Sequence, residues 1–546
     1  MAAQTPIGEL LKRKGLVTED LIRFALKEQQ ATGERLGEVL TRLGIVTDFE
    51  IAQVLAEQSG LPYLDVRGLV PERKALVRIS ATLAKEGEIL PFKYEDGFLK
   101  VAVADPFDQK LLNNLKRISN AQIELYVAPR SEIKRIIEWY YYLLQHPPEK
   151  EISQLIERLR KNPHLDFNTE QLWHNLLVHA ISQRAADLHL VPSEKSCRVY
   201  YRLDGILELA FVLPQSVHSR LIGAVKVRAG MDIAEQRLPQ DGRLRFEFLG
   251  EEYDLRISTV RGVSGENLVA RILPVKATVL HLESLGFSKE EVKILKGLFT
   301  QPQGMILVTG PTGSGKTTTL YSALRLLDTL TKNIMTAEDP VEYSFPLIRQ
   351  TQINEEIGYT FAAAIKHFLR QDPDVILVGE IRDEETASMA VRAALTGHLF
   401  LSTLHTNDAI SSVDRLRDLG VNNSLIASAL KGVTAQRLLR RICSHCREEY
   451  QPPQELLERY RLPPDRAYYH GKGCENCRQT GYLGRFAVTE IFVVSSAIQD
   501  LIAEGAPGPL LFKEAQKENF KPLKEAGVEK VLQGETTVEE LARVLG

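Results

Sequence analysis

The sequence predicts a multidomain α/β protein that ends in a mostly parallel sheet, and three observations carry this prediction. The chain has 546 residues, enough for three or four domains at about 150 residues each. Hydrophobic residues make up 44% and charged residues 25%, a composition typical of folded globular domains. From residue 289 to the end, short apolar runs alternate with amphipathic helical patterns, as expected for parallel strands joined by crossover helices.

Charge and hydropathy exclude several classes of protein. The net charge is -3, so no global basic field exists to hold nucleic acid. Apolar runs such as Met305–Val308 are far shorter than the roughly 18 residues of a membrane span. Charged residues at positions 9 and 12–14 occupy the place where a signal peptide would need an apolar region. These features predict a cytoplasmic protein.

An internal repeat opens the chain and predicts a helical domain over residues 1–60. In the second copy, the Thr47 and Glu50 pair follows the capping-box pattern and sets the start of a helix near Asp48. Sliding the sequence by 29 residues superimposes Gly8, Leu11, Gly15, Val17, Thr18 and Gln29 on Gly37, Leu40, Gly44, Val46, Thr47 and Gln58.

Two further modules follow the repeat. Residues 61–145 alternate short β-like runs with helical patterns, which predicts a small α/β domain. Two prolines at 147 and 148 then indicate a linker over 146–168 that contains a charged helix. Residues 169–288 predict an α+β domain with strands over Arg198–Leu203, Gly242–Phe248, Tyr253–Val260 and Asn267–Leu273.

Residues 310–317 match the phosphate-loop pattern, between an apolar run and a helical pattern, which is the context this motif requires. In such loops backbone N–H groups surround the phosphates, the lysine reaches the β and γ phosphates, and the hydroxyl residue after it ligates Mg²⁺. Lys316 and Thr317 take these roles. The predicted ATP-binding residues are Gly310, Pro311, Thr312, Gly313, Ser314, Gly315, Lys316, Thr317 and Thr318.

Two strand ends supply candidate catalytic carboxylates. An extended run separates Asp374 from Glu380 by about 20 Å at about 3.3 Å per residue, so only one of them can act at a single site. Glu380 lies at the carboxyl end, where such sheets bind ligands, and is predicted to prepare the attacking water. Glu338 reaches the same edge and is predicted to assist. For Asp339, a helix-capping or ion-pair role remains open beside catalysis.

Two histidines flank the apolar run 399–404. They are seven positions apart, so in a regular strand they face opposite sides and at most one contacts nucleotide. His405, at the predicted carboxyl end, is the candidate that senses the γ-phosphate. His398 is assigned a structural role.

Four of the five cysteines form two Cys-x-x-Cys pairs within residues 440–480, a spacing typical of tetrahedral zinc sites. The predicted zinc ligands are Cys443, Cys446, Cys474 and Cys477, with His445 as an alternative to one cysteine. The fifth, Cys197, is predicted to be a buried apolar residue.

Taken in their order, these motifs resemble the type II secretion and type IV pilus assembly ATPases over nearly the whole chain. The resemblance rests on the phosphate loop, the acidic box Ala337–Pro340, the segment Leu377–Asp383 and the histidine box Gly397–Asn407. It implies a RecA-like ATPase domain that forms a cytoplasmic homohexamer. The preceding α+β domain is PAS-like in this family and extends arginines over the neighbouring subunit's nucleotide. Arg256 and Arg271 are the matching positions, and the tetracysteine insertion indicates assembly rather than retraction.

The strand pattern around these two arginines agrees with that role. A turn over Gly262–Gly265 centres a hairpin between residues 263 and 264, which sets Arg256 and Arg271 opposite each other on one face. Two like charges so placed repel by under about 1 kcal/mol, and an anion between them would remove the repulsion. A solvated charged face is the alternative.

The opening repeat resembles the tandem motif that binds cyclic di-GMP in many of these ATPases. Arg35, with Leu36 and Gly37, matches the start of the motif. The first copy has Pro6 where the motif has arginine, so a helical docking domain without ligand is the alternative.

The predicted function is a hexameric ATPase that uses ATP, Mg²⁺ and Zn²⁺ and whose opening repeat is a candidate site for cyclic di-GMP. Through a platform protein it would act at the cytoplasmic face of the inner membrane, with no nucleic acid bound. The alternatives are a helicase-like nucleic-acid motor and a scaffold that only binds nucleotide. The sequence does not distinguish a pilus client from a secretion client.

Overall fold

The structure is a computed structural model that describes residues 6–66, 69–108, 115, 121–162, 165–275 and 281–546. Parts of the predicted 1–60 domain, the 146–168 linker and the 169–288 domain therefore lie outside the described residues. Two compact units make up the chain. One is Asp48–Ala277, and the other combines Thr5–Thr47 with Thr278–Gly546. None of the helices in the described ranges combines the length and the apolar character that a membrane span needs.

The opening repeat is helical, with elements at Ile7–Arg13, Glu19–Thr32, Leu36–Arg42 and Asp48–Ser59. The predicted helix start near Asp48 is confirmed. The division between the two units falls between Thr47 and Asp48, inside the predicted 1–60 domain. Arg35 is exposed at the start of the third helix, where its backbone N–H donates to the Glu38 carboxylate at 3.1 Å.

A small α/β module follows, as the alternation over residues 61–145 predicts. Its sheet has the order β1-β2-β3, with β1 antiparallel and β3 parallel to β2. Residues Ile133, Ile136 and Ile137 of its longest helix pack into the same core as Leu99 and Val101 of the central strand. The strands are β1 Ile89–Glu95, β2 Phe98–Val103 and β3 Gln122–Val127, and the helices are Arg73–Leu76, Ala81–Gly87 and Arg130–Gln145.

The α+β module has a six-stranded antiparallel sheet in the order β6-β5-β4-β9-β8-β7. All four predicted strands are present, and the sequence patterns missed β4 and β6. The strands are β4 Asp187–Pro192, β5 Ser196–Leu203, β6 Ile206–Pro214, β7 Gln240–Phe248, β8 Glu251–Gly262 and β9 Gly265–Pro274. The helices are Pro148–Lys161, Thr169–Ser182 and Gln215–Arg228.

The segment predicted as a linker is largely the helix Pro148–Lys161, and the charged helix expected there is confirmed. Its Ile152 and Leu159 are buried in the core of the α+β module, so this helix is part of that module's packing. The strands β7–β9 alternate buried and more exposed residues, because helices cover one face of the sheet only. The less covered face is the one that carries arginines.

The largest sheet belongs to the unit with the phosphate loop and has the order β12-β11-β13-β14-β10-β15-β18. All neighbours pair in parallel except β15 and β18, so the predicted mostly parallel sheet is confirmed. Its strands are β10 Gly304–Thr309, β11 Ile334–Glu338, β12 Arg349–Gln352, β13 Val375–Val378, β14 Leu399–Leu404, β15 Leu430–Ile442 and β18 Tyr482–Val493.

Helices cover both faces of this sheet, which explains why its central strands are apolar without alternation. Along β10, Met305 and Leu307 enter the core on one side, whereas Ile306 and Val308 enter the core on the other. Leu282 and Phe287 also pack into the second core, ahead of the predicted domain start at 289. The helices are Lys289–Phe299, Lys316–Leu324, Phe361–Phe368, Glu384–Leu395, Ser411–Asp418 and Asn423–Ala429.

The C-terminal part is built around the long strand β15 and its partner β18. A two-stranded ribbon, β16 Arg447–Tyr450 with β17 Tyr468–Gly471, lies in the chain between them. The remaining helices are Gln454–Arg459, Ser496–Ala503, Gly508–Lys517, Leu523–Leu532 and Val538–Leu545.

Candidate nucleotide site

The carboxyl ends of four adjacent parallel strands meet at one edge of the large sheet. The phosphate loop follows β10, Glu338 ends β11, Glu380 follows β13 and His405 follows β14. Since the strand order is β11-β13-β14-β10, these groups share one edge, as the sequence predicts for a ligand site. The predicted nucleotide-binding and catalytic residues of this domain are thus brought together.

The phosphate loop depends on Gly310. Its φ is +142°, and a Cβ there would lie 2.6 Å from the Gln436 carbonyl oxygen and 2.7 Å from Ser314 Oγ. Lys316 opens the helix after the loop and its Nζ donates to the carbonyl of Gly310 at 2.9 Å. Burial lowers the pKa of Lys316, and the charge of Glu380 opposes that shift. The loop therefore holds a partly desolvated cation beside backbone N–H groups.

Gln436 of β15 holds the phosphate loop and the helix after it through two hydrogen bonds of its side-chain amide. Its amide NH₂ donates to the Ser314 carbonyl at 2.7 Å, and its amide oxygen accepts from the Thr319 hydroxyl at 2.9 Å. Gln436, Ser314 and Thr319 are all buried. Thr317 and Thr318, at the start of the helix, are exposed and remain available to a ligand.

Glu380 lies where a water-activating carboxylate is expected. Its carboxylate accepts from Arg382 and lies 3.3 Å from His405 Nε2, while its side chain keeps 19% of its surface exposed. The Thr403 hydroxyl donates to the Gly379 carbonyl at 2.8 Å and so ties β14 to the segment before Glu380. His405 is the more open partner, with 52% of its side chain exposed.

Glu338 is enclosed to a much greater extent. Tyr321 of the phosphate-loop helix donates to one carboxylate oxygen. The other accepts from the Thr336 hydroxyl at 2.6 Å and from the Gln350 amide at 3.0 Å. Only 3% of Glu338 is exposed. Within this chain the carboxylate is therefore held in place by three donors, and its predicted assistance in catalysis stays a prediction.

Asp374 and His398 have the structural roles that the sequence predicts. Asp374 precedes β13 and accepts from the Asn333 backbone N–H at 2.7 Å. His398 precedes β14, where its Nδ1 lies 2.9 Å from the Ala393 carbonyl oxygen at the end of the preceding helix. Both residues lie at the amino ends of their strands, away from the phosphate-loop edge.

The two predicted arginines pair in the expected register, Arg256 of β8 opposite Arg271 of β9. Asp187 of β4 lies beside them and is almost fully buried. It accepts from Arg271 Nε at 2.9 Å and, through its other oxygen, from Arg202 Nε at 3.1 Å. One buried carboxylate thus orients two arginines, while Arg256 Nε lies 4.0 Å from the Asp254 carboxylate.

The four cysteines of residues 440–480 converge, with all four Sγ atoms within 4.8 Å of one another. Measured Sγ–Sγ distances are 3.8 Å for Cys443–Cys474, 3.7 Å for Cys446–Cys477 and 3.6 Å for Cys474–Cys477. Thiolates at about 2.3 Å around a tetrahedral zinc ion would lie about 3.8 Å apart, so the set fits this metal. Among the described residues His445 takes no part in the cluster.

The electrostatics at one thiol support metal binding. Burial opposes the charged form of Cys477, but hydrogen bonds from the backbone N–H groups of Cys474 and Gly481 lower its pKa to about 7. A thiolate, not a thiol, is the metal ligand. Burial raises the pKa of the Cys443 thiol and that of the Cys446 thiol in the same cluster, so the four thiols do not ionise alike.

Sequence reasoning missed several residues that build these sites, namely Tyr321, Gln350, Gln436, Arg437 and Asp187. One signal was available for Gln436 and Arg437, because this polar pair interrupts the apolar pattern of β15. Asp187 stands at the start of an apolar strand, and Tyr321 and Gln350 carry no local signal. Their roles depend on which elements become neighbours.

Comparisons with known proteins find matching families and relatives that cover nearly the whole chain. Residues 165–543 match the family described as type II/IV secretion system protein, and residues 59–146 match the MshEN domain. The chain is 38% identical over 98% of its length to the type IV pilus assembly ATPase PilB of Myxococcus xanthus, of which it covers 98%. It is 38% identical over its full length to type II secretion system protein E of Xanthomonas campestris, of which it covers 99%.

A solved structure shows the same fold in part. The Legionella pneumophila ATPase DotB superposes with a TM-score of 0.52 and 20% identity, covering 68% of this chain and 94% of that one. The MshEN match begins at residue 59, the last residue of the helix that ends the opening repeat, and covers the small α/β module. The resemblance read from the motif order is confirmed, and the chain belongs to the family of type II/IV secretion system proteins.

Proposed function

We propose that this chain is a homohexameric motor that hydrolyses ATP to drive assembly of a type IV pilus or a type II secretion pseudopilus. As a member of its family the chain is an ATPase. The observation that carries the proposal is the meeting of the phosphate loop, Glu380 and His405 at adjacent strand ends. The motor would work at the cytoplasmic face of the inner membrane through a platform protein.

Each residue at the sheet edge has a proposed role. Backbone N–H groups of the loop and Lys316 hold the phosphates, and Mg²⁺, bound through Thr317, would neutralise phosphate charge. Glu380 accepts the proton of the attacking water because its carboxylate is partly exposed at the edge of the sheet that carries the phosphate loop, beside His405. His405 couples the position of the Glu380 carboxylate to β14, the strand that His405 follows. Glu338, held by three donors, assists by fixing the loop helix.

Arg256 and Arg271 act on the neighbouring subunit's nucleotide in this proposal. They are adjacent on the less covered face of an antiparallel sheet, where Asp187 and Asp254 carry two negative charges against the three positive charges of Arg202, Arg256 and Arg271. The remaining charge favours an anion at this face. Asp187 would hold Arg271 in the geometry needed to stabilise charge in the transition state.

Subunit mixing tests this assignment. Arg271→Ala should lose on the order of 10³- to 10⁵-fold in turnover while it still binds ATP through Lys316. Lys316→Ala should lose nucleotide binding. Mixed hexamers of the two variants contain interfaces with an intact loop and an intact arginine, so ATPase activity should partly return. Arg245→Ala, on the same sheet face, is the control and should keep its turnover.

Two outcomes would contradict the assignment. Mixed hexamers that are demonstrated by mass but show no recovered activity would remove the trans role of Arg271. A fully active monomer would remove the need for the ring.

The alternative of a nucleic-acid motor predicts stimulation of ATP hydrolysis by DNA or RNA. The net charge of -3 gives no support to it, and the relatives compared above are named for pilus assembly and secretion. Turnover measured with and without single-stranded DNA separates the two proposals.

A regulatory ligand is the second part of the proposal. Arg35 stands exposed at a helix start inside the repeat that resembles the cyclic di-GMP motif, and a guanidinium suits a phosphate or a guanine edge. Titration calorimetry of the full chain with cyclic di-GMP should show binding that Arg35→Ala weakens and Arg23→Ala does not. Absence of heat at high micromolar ligand would leave residues 6–58 as a docking segment.

A further inference from the structure

Arg437 of β15 lies against the phosphate loop, next to Gln436, and no sequence motif singled it out. Its Nη1 lies 3.3 Å from the position that a Cβ on Gly310 would take. Lys316 Nζ binds the carbonyl oxygen of the same glycine at 2.9 Å. Two cationic side chains therefore meet at one residue of the loop, and the missing side chain of Gly310 gives the guanidinium its room.

Within the described residues, the partners of Arg437 are neutral. Its guanidinium donates to the Gln436 carbonyl at 3.0 Å and to the Asn407 carbonyl at 2.8 Å, and it forms no ion pair. Asn407 belongs to the loop that follows His405. The guanidinium is thus held between the phosphate loop and the histidine box by backbone acceptors alone.

The two carboxylates whose charges act on Arg437 both accept hydrogen bonds from other groups. Asp408 accepts from the backbone N–H and the hydroxyl of Ser411 at 2.7 and 2.5 Å. Glu490 accepts from the backbone N–H groups of Ala409 and Leu523 at 2.6 and 2.9 Å. Both act on Arg437 only through their charge at longer range.

The pKa directions of the two cations also favour an anion at this site. Burial lowers the pKa of Arg437 and also that of Lys316, and the charge of Arg437 lowers the pKa of Lys316 further. Two partly desolvated cations that repel each other cost free energy, and an anion bound between them would recover it. Nucleotide phosphates are the anions that this loop is shaped to hold.

We propose that Arg437 binds the phosphate groups of the nucleotide in the same subunit, as a second cation of the phosphate loop. This inference rests on the proposed function of the site and adds a residue to it. Donors left on the guanidinium face the anion while the bonds to Gln436 and Asn407 keep it in place. Because Arg437 also holds the Asn407 carbonyl, phosphate binding is coupled to the position of the histidine box.

The rival explanation is that Arg437 only ties two backbone segments together. The two explanations differ in three measurable ways. A tie contributes to the stability of the protein without nucleotide, does not depend on the number of phosphates in the ligand, and is lost in a lysine variant that cannot span both carbonyls. A phosphate-binding cation changes the affinity for nucleotide more than the stability of the protein without nucleotide. Its effect depends on the number of phosphates in the ligand, and lysine replaces it in part.

The experiment uses the full chain and three variants, Arg437→Met, Arg437→Lys and, as control, the exposed helix residue Arg392→Met. Calorimetry would measure the Kd for ADP, for a non-hydrolysable ATP analogue and for AMP. Thermal unfolding without nucleotide would check the fold of each variant. Hydrogen bonds to charged groups contribute about 1.5–3 kcal/mol, which corresponds to roughly 10- to 150-fold in Kd.

We expect Arg437→Met to weaken binding of ADP and of the ATP analogue by roughly 10- to 100-fold and binding of AMP much less, with only a small fall in Tm without nucleotide from the two lost bonds to backbone carbonyls. Arg437→Lys should recover part of the affinity, and Arg392→Met should match wild type. Unchanged Kd values for ADP and the ATP analogue in a folded Arg437→Met protein would overturn the inference. So would an equal loss for all three ligands that accompanies a fall in Tm. Failure of the wild type to bind ATP would instead remove the proposed function.

Discussion

Two arginines of strand β15, three positions apart, are held in opposite ways. Beside the phosphate loop, the partners of Arg437 among the described residues are backbone carbonyls. Three residues further on, Arg440 donates through Nε and Nη2 to Glu540 at 3.0 and 2.8 Å and lies over the Tyr482 ring. Arg543 donates to the same buried carboxylate at 2.7 Å. The charge of Arg440 is thus neutralised within the chain, whereas Arg437 has no ion-pair partner among the described residues.

The comparison shows that the partner of an arginine distinguishes a binding residue from a structural one. A cation whose partners are neutral carbonyls retains charge that can act on an anion, and a cation paired with a buried carboxylate does not. Variants of residues beside the phosphate loop should therefore change nucleotide binding or turnover and leave stability nearly unchanged. Variants of Glu540 and of the adjoining cysteine cluster should lower stability and leave nucleotide binding nearly unchanged.

The largest effect is expected from the cysteine cluster, which begins directly after β15. We propose that the chain binds one zinc ion, and Cys474→Ser should abolish this binding. Structural zinc contributes on the order of 10 kcal/mol to local folding, so the region around residues 443–480 should lose order first. Elemental analysis and limited proteolysis would measure both effects, with Cys197→Ser as a buried cysteine outside the cluster. A folded wild type without metal would contradict the proposal.

The second largest effect is expected when Glu380, the partly exposed carboxylate of the nucleotide site, is replaced. Glu380→Gln should lower kcat by about 10²- to 10⁴-fold, because the amide cannot accept the proton of the attacking water. Nucleotide Kd and Tm should stay near wild type, since the polar partners of this side chain among the described residues are Arg382 and His405. Asp374→Asn is the matched control on the same strand segment. Normal turnover in Glu380→Gln would transfer the catalytic role to Glu338.

Replacement of the buried counter-charge should affect stability instead. Glu540→Gln leaves Arg440 and Arg543 without a carboxylate in a buried site, and breaking such a pair costs about 3–5 kcal/mol. Glu539→Gln, exposed and adjacent, is the control and should cost little. Denaturant unfolding would measure the difference, and calorimetry should give an unchanged nucleotide Kd for Glu540→Gln under native conditions.

The pH dependence of this pair has a definite sign. Burial opposes the charge of Glu540, but hydrogen bonds from Arg543 and Arg440 outweigh it and lower the pKa below the ordinary value of 4.5. The stabilisation is therefore present above pH 4.5 and is lost as the pH falls through the folded-state pKa. Unfolding measured in acid should show this loss in wild type and not in Glu540→Gln.

The smallest effect is expected at Tyr321, which links the phosphate-loop helix to Glu338. Tyr321→Phe removes one of three donors, and a buried hydrogen bond to a charged group contributes about 1.5–3 kcal/mol. Thr336 and Gln350 still hold the other carboxylate oxygen, so we expect a loss of kcat of less than about tenfold. Thr336→Val is the companion variant. A loss as large as that of Glu380→Gln would make Glu338 a primary catalytic group.

The sequence by itself determined the parts of the protein that depend on neighbouring residues. The phosphate loop, the parallel sheet, the two cysteine pairs and the opposition of Arg256 and Arg271 follow from fixed spacing and from periodicity. The hairpin register could be predicted because a short turn leaves few alternatives. Glu380 could be preferred over Asp374 because strand direction decides which end meets the ligand.

Tertiary structure alone decided which distant side chains share a site. Asp187 and Arg271 are 84 positions apart, Thr319 and Gln436 are 117 apart, and Arg440 and Glu540 are 100 apart. No local pattern encodes such pairs, because strand order and helix packing bring them together only after the sheets have formed. The same holds for Arg437: its charge is visible in the sequence, but the lack of a carboxylate partner among the described residues depends on what Asp408 and Glu490 bind instead.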